Sequence, residues 1–254
     1  MRLGIFQISG GGLTPTERLD ALTRHLEDSD LDLILCPELF MSGYNVGADH
    51  AALAEPSTGA FSARIADIAK RHNTAIVYGY PEAADNVIYN SAAFIGADGT
   101  LLGNHRKRLA SPHSFEETTF ANGAAATFVD YMDLRISIII CYEVEFPESL
   151  RLAANSGAHL VLVPTALVAQ WGFVAEKMVP TRAFESGLWV AYANHAGHEN
   201  GFDYLGGSRI VAPDGREEAV AGTNECLIHA TIDRAQVMAA RDRLPYLRDA
   251  PNIK

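Results

Sequence analysis

Three residues far apart in the chain have side chains suited to nucleophilic catalysis: Cys141, Glu38 and Lys107. Cys141 ends the apolar run Arg135–Ile140 and precedes Tyr142-Glu143-Val144-Glu145-Phe146-Pro147-Glu148. Proline suits the first turn of a helix, so Cys141 is predicted at a strand-to-helix turn. Backbone N–H groups there can hold a developing oxyanion. An inert buried thiol fits that position as well. Glu38 follows Cys36-Pro37 at the end of a second apolar run. Sites in α/β folds gather at the carboxyl ends of buried strands, and Pro37 restricts the backbone on both sides of itself. A solvated loop acid is the competing reading. Lys107 follows the strand-like stretch Gly99–Asn104 and, read alone, is a surface lysine. A thiol of ordinary pKa is mostly protonated at neutral pH and needs a base or a nearby cation. Glu38 could accept its proton, and Lys107 could stabilise negative charge. Spacing alone does not bring the three together.

The elements that must position them are legible as short β-branched runs alternating with amphipathic stretches. Strands are predicted at Leu3–Ile8, Leu31–Cys36, Ala75–Tyr80, Val87–Ile95, Arg135–Ile140, Leu160–Val163, Trp189–Ala193, Ser208–Ala212 and Cys226–Thr231. Helices are predicted at Thr16–Glu27, Phe61–His72, Pro147–Ser156, Val174–Ser186 and Arg234–Arg243. Ser57-Thr58 offers capping hydroxyls near the second helix. Leu33-Ile34-Leu35, Ile138-Ile139-Ile140 and Leu160-Val161-Leu162-Val163 are apolar at every position. Strands covered on both faces read this way. Sheets inside and helices outside follow.

The 254 residues carry 20 Lys+Arg and 31 Asp+Glu, a net charge of −11. A chain of this length buries roughly 70–75% of its unfolded surface, so one domain over 1–254 is expected. The acidic balance and the shortness of His105-Arg106-Lys107-Arg108 argue against a nucleic-acid partner. No apolar run approaches the roughly 20 residues of a membrane span, and no secretory signal is visible. Three cysteines without ligand spacing predict free thiols in a cytoplasmic protein. Gly10-Gly11-Gly12 lacks the features of a phosphate cradle. His195 and His198 have no metal-ligand spacing around them, so no metal is predicted.

The chain resembles the nitrilase, or carbon–nitrogen hydrolase, superfamily. The resemblance is carried by Cys-Pro-Glu38-Leu-Phe-Met-Ser-Gly-Tyr44-Asn, Arg106-Lys107-Arg-Leu and Ile140-Cys141-Tyr-Glu-Val-Glu-Phe-Pro-Glu148, in the family's order. It extends over essentially the whole chain. Within the superfamily the chain is most similar to 5-aminopentanamidase-type and aliphatic amidases. The resemblance implies an α/β fold, a four-layer αββα sandwich, forming homodimers or larger homo-oligomers. It places the family's Glu–Lys–Cys triad on Glu38, Lys107 and Cys141, and its second glutamate on Glu116, with Glu117 adjacent. Candidate substrate contacts are Tyr44, Tyr142, Glu145, Ala166 and Trp171. Aromatic rings there could flank an aliphatic chain and attract an ammonium. Glu145 could pair with that ammonium, or serve only as an acid at a helix start.

The implied reaction is hydrolysis of a small aliphatic, or ω-amino, carboxamide through a thioester, without a cofactor. The same triad would serve an N-carbamoyl amine or a nitrile. A non-catalytic binding protein on the same fold is the reading from outside enzymology. Three departures stand out. The usual Tyr-x-Lys-x-His-Leu is replaced by His105-Arg106-Lys107-Arg108-Leu109, followed by a longer loop, Ala110–Phe115. The usual Cys-Tyr-Asp reads Cys141-Tyr142-Glu143. Leu167 stands where Asn is frequent after Pro-Thr-Ala.

Overall fold

A computed structural model describes residues 1–27 and 29–253. Its strands are β1 (Arg2–Gln7), β2 (Leu33–Leu35), β3 (Ala75–Ala84), β4 (Val87–Ile95), β5 (Leu101–Arg106), β6 (Thr127–Tyr131), β7 (Leu134–Ile138), β8 (Leu160–Pro164), β9 (Trp189–Ala193), β10 (His198–Glu199), β11 (Phe202–Asp203), β12 (Arg209–Val211), β13 (Glu217–Val220) and β14 (Cys226–Thr231). Its α-helices are α1 (Pro15–Glu27), α2 (Asp49–Leu53), α3 (Ala60–His72), α4 (Glu116–Thr119), α5 (Pro147–Asn155), α6 (Val179–Ser186), α7 (Arg234–Arg243) and α8 (Tyr246–Asp249).

Two six-stranded sheets run in the orders β14-β1-β2-β3-β4-β5 and β13-β12-β9-β8-β7-β6. In each, three consecutive strands are parallel and the outer pairings antiparallel: β1, β2 and β3 in the first, β7, β8 and β9 in the second. The all-apolar runs supply both faces of these central strands. Leu33, Leu35, Ile138, Ile140, Leu160 and Leu162 face the core between the sheets. Ile34 turns outward with Ile76 and Tyr78 against Leu19 and Leu22 of α1 and Ile65 and Ile68 of α3. Ile139, Val161 and Val163 turn outward against Leu150 of α5 and Val179 and Ala183 of α6. The layers therefore run helix, sheet, sheet, helix.

Local chemistry sets several boundaries. Thr14 and Glu17 form a reciprocal cap at the start of α1: Thr14 N–H donates to the Glu17 carboxylate at 2.8 Å, and Glu17 N–H to Thr14 Oγ1 at 3.3 Å. The start of α3 is not capped by Ser57 or Thr58. Glu55 reaches instead, accepting from Phe61 N–H and Ser62 N–H at 3.0 Å each. A carboxylate beside those free N–H groups also meets the positive end of the helix dipole. The predicted helix Val174–Ser186 is one π-helical turn, Val174–Met178, running into α6. Among the described residues no helix is long and apolar enough to cross a membrane.

Candidate active site

The site forms where the carboxyl ends of β2, β7, β8 and β9 meet across the two sheets. Glu38 lies in the turn after β2. Its backbone is fixed from three directions. Gly79 N–H donates to Pro37 C=O at 3.3 Å, Met41 N–H to Gly79 C=O at 3.0 Å, and His195 Nε2–H to Glu38 C=O at 2.7 Å. Gly79 has to be glycine, because a Cβ would stand 2.3 Å from Leu39 N and 2.7 Å from Pro37 O. Lys107 follows β5 directly; its N–H donates to Asn90 C=O at 2.8 Å, and its own C=O accepts from Gly123 N–H at 2.7 Å. Glu116 opens the single-turn helix α4.

These three side chains form one buried cluster. Lys107 Nζ donates to Glu38 Oε1 at 2.8 Å and reaches the Glu116 carboxylate at 2.7 Å. Asn90 Nδ2 donates to the same Glu38 oxygen at 2.8 Å. Glu116 also accepts from Tyr44 OH at 2.5 Å and from Ser111 N–H at 3.1 Å. Glu38 Oε2 is buried and has no partner. A buried acceptor without a hydrogen bond is costly, and at a catalytic carboxylate it marks the oxygen free to take a proton.

Cys141 opens a 3₁₀ turn, Cys141–Glu145, and Pro147 starts α5, the predicted strand-to-helix arrangement. Its φ is +47°, a left-handed conformation that a side chain adopts at a cost. Tyr142 is second in the turn, where a backbone N–H has no acceptor inside the helix. The sulfur lies near the charges of Glu38, Lys107 and Glu116, and the Thr165 hydroxyl hydrogen-bonds to it.

The electrostatics distinguish the members. Burial raises the Glu38 carboxyl above the ordinary range, against the pull of Lys107. Burial also opposes ionisation of Glu116, but Lys107, Tyr44 and the Ser111 N–H outweigh it and hold the carboxyl below its ordinary value. Burial works against the Lys107 ammonium, yet Glu38 and Glu116 overcome it and keep the amine firmly protonated. Burial and Glu38 push the Cys141 thiol up, so it rests protonated. His195 is driven down to about 4 by burial, so it stays neutral at physiological pH.

A cavity of about 750 Å³ opens above Cys141. Tyr44, Tyr142, Glu145, Ala166 and Trp171 all line it, as do Leu167 and the loop residues Ser111, Pro112, His113 and Ser114. The sequence did not single out Asn90, Ser111, Thr165, His195 or Glu199. Glu199 accepts from the N–H groups of Tyr44 and Asn45 at 2.9 and 2.7 Å and from Tyr204 OH at 2.7 Å. Buried Arg18 stands 3.4 Å away. These are scattered polar residues with no local pattern; only Thr165, inside the quoted Pro-Thr-Ala, lay in a motif. His195 serves the Glu38 turn, and His198 Nδ1 meets Asp203 Oδ1 at 2.8 Å. No group of three His, Cys, Asp or Glu residues able to hold a metal occurs among the described residues.

The carbon-nitrogen hydrolase family model matches residues 16–242. The chain belongs to the carbon–nitrogen hydrolase family. This hydrolase is 41% identical to a Pseudomonas protegens protein described as "Hydrolase in pqqF 5'region", over 98% of this chain and 88% of the relative. It is 32% identical to an (R)-stereoselective amidase of a Pseudomonas species, over 87% of this chain and 80% of the relative. Its fold superposes on that of the amidase of Nesterenkonia sp. AN1 with a TM-score of 0.86 at 30% identity, covering 96% of this chain and 98% of the other. That amidase has been seen with acrylamide added to its active-site cysteine and in complex with butyramide. The hydrolase described here is accordingly an enzyme acting on carbon–nitrogen bonds, an amidase of the nitrilase superfamily, rather than a non-catalytic binding protein.

Proposed function

We propose that the enzyme hydrolyses small aliphatic carboxamides to carboxylate and ammonia through a thioester on Cys141. One observation carries this reading: the buried Glu38 carboxylate keeps one oxygen unpartnered while the other is fixed by Lys107 and Asn90. The Cys141 sulfur attacks the amide carbon as its proton passes to Glu38. Because the thiol rests protonated, the two events are coupled and no stored thiolate is needed. Lys107 and the Tyr142 N–H hold the oxyanion. Glu116 keeps the ammonium charged and aimed. Collapse of the tetrahedral adduct breaks the C–N bond, and Glu38 returns the proton to the leaving ammonia. Water, deprotonated by Glu38, then attacks the thioester. The second collapse releases the acid, and the proton returns to sulfur. Bond order to nitrogen is the same in the bound butyramide of the Nesterenkonia enzyme, which favours an amide over a nitrile.

Hydroxylamine tests the intermediate. A thioester partitions to hydroxamate at the expense of carboxylate, while ammonia release still depends on Cys141. Turnover without any hydroxamate, at hydroxylamine concentrations that intercept model thioesters, would remove the thioester from the scheme.

Glu145 favours an ω-amino amide within this class. Its carboxylate lines the cavity and accepts no hydrogen bond among the described residues. Burial raises its pKa, with Lys107 and Arg182 opposing. An ammonium at the far end of a substrate would find a counter-charge there. Glu145→Gln should raise KM for 5-aminopentanamide and leave KM for an uncharged amide of matched length unchanged. Equal effects on both substrates would remove the acidic subsite.

A further inference from the structure

Two of the sequence departures meet in space. Glu143, in place of the usual aspartate after Cys-Tyr, is fully buried. Its Oε2 accepts from His105 Nε2–H at 2.8 Å and from Ile140 N–H at 2.8 Å, and its Oε1 accepts from Arg108 Nε at 2.7 Å. His105 and Arg108 are the altered residues on either side of Lys107. A carboxylate only accepts, so the ring nitrogen facing it must carry the proton, whatever the charge of the imidazole. The other ring nitrogen lies 3.2 Å from Thr127 Oγ1.

We infer that Glu143 is a positioning residue, which fixes the Lys107 ammonium relative to the Cys141 sulfur by tying the Lys107 segment to the nucleophile turn. The two catalytic groups come from different sheets: Lys107 follows β5 of the first, and Cys141 follows β7 of the second. Glu143 lies two residues beyond Cys141 in the same turn and holds the residues two before and one after Lys107. Its bond to Ile140 N–H closes the turn against the strand end. One carboxylate therefore sets both the turn that holds Cys141 at positive φ and the distance across the sheets. Arg108 is spent on Glu143 and is absent from the cavity wall, so the altered Lys107 segment changes the mounting of the site and not its lining. The inference rests on the assignment of Cys141 and Lys107 as reacting groups.

The test is a mutant cycle read as separate kcat and KM values with the amide that the wild type turns over best. Misplacement of a catalytic group by about 1 Å can cost about 10²-fold in rate. Glu143→Gln, which keeps the volume and replaces an acceptor oxygen by a donor, should lower kcat by about that factor, with KM little changed. Glu143→Asp keeps the charge and should recover part of the loss. Arg108→Met releases one arm only and should lower kcat less. In the double variant Glu143→Gln/Arg108→Met the two effects should be non-additive, because both act through one ion pair. A folded Glu143→Gln enzyme with wild-type kcat would overturn the inference. So would a loss confined to KM, or strict additivity in the cycle. If Glu143→Gln does not fold, Arg108→Met and His105→Gln carry the test, and wild-type kcat in both overturns it. Cys141→Ala run alongside separates the two claims. Turnover in Cys141→Ala defeats the underlying assignment, whereas a dead Cys141→Ala beside a fully active Glu143→Gln defeats only the role of Glu143.

Discussion

Glu38 and Glu116 are both buried carboxylates on the same ammonium, yet their environments drive them apart. Glu116 has Tyr44, Ser111 and Lys107 as donors and stays ionised. Glu38 keeps an oxygen free and has its pKa raised. Pairs of titratable groups pushed in opposite directions mark acid–base assignments. The sign for pH dependence follows. Glu38 must be ionised to accept the thiol proton, so kcat/KM falls as pH drops through its raised pKa. The acid limb should lie above the ordinary carboxylate range of about 4. A limb at or below that value would assign the base elsewhere. Glu145 behaves likewise toward a cationic substrate: lowering the pH neutralises it, so KM for an ω-amino amide rises on acidification while KM for an uncharged amide does not. Parallel KM profiles for the two substrates would contradict that assignment.

At the scale of elements, short irregular pieces between strands do the positioning. The Glu38 turn is seated on Gly79 of β3, and His195 after β9 holds its carbonyl. Gly79→Ala places a methyl against backbone atoms that cannot yield cheaply. It should destabilise by about 1–3 kcal/mol, as overpacking does, and lower kcat because Glu38 is displaced. Thermal melts and steady-state rates check this; an unchanged kcat would show that the turn tolerates the shift. Much of this level was legible in the sequence. Runs apolar at every position announced strands covered on both faces, and Pro147 announced the turn that carries Cys141. The capping of α3 was not legible, because Glu55 acts from outside the helix and competes with nearer hydroxyls that looked sufficient. The short strands β10 and β13 carry too few residues for a period to show. Most of the supporting cluster was hidden too. His195, Asn90 and Glu199 act through contacts more than fifty residues away in the chain, and nothing local distinguishes them.

At the scale of the whole molecule, the sheets face each other through a core that extends to Cys141 itself. The strand ends that carry the site are thereby held by the largest apolar layer of the protein. Leu162→Ala, in that layer on β8, should cost about 2–5 kcal/mol and lower Tm by roughly 2–4 °C per kcal/mol. The folded fraction should keep its substrate preference, since Leu162 does not line the cavity; a changed preference would mean that packing at this depth shapes the pocket. The triad members lie 69 and 34 residues apart along the chain, and only the pairing of β2 and β7 ends across the two sheets makes them neighbours. That is why residue types alone suggested the chemistry without showing that its parts meet. Ammonia release from small aliphatic amides by wild type and Cys141→Ala, each verified as folded, tests the central claim most directly. The account predicts release by the wild type and none above background by the variant. Comparable release by both would contradict it.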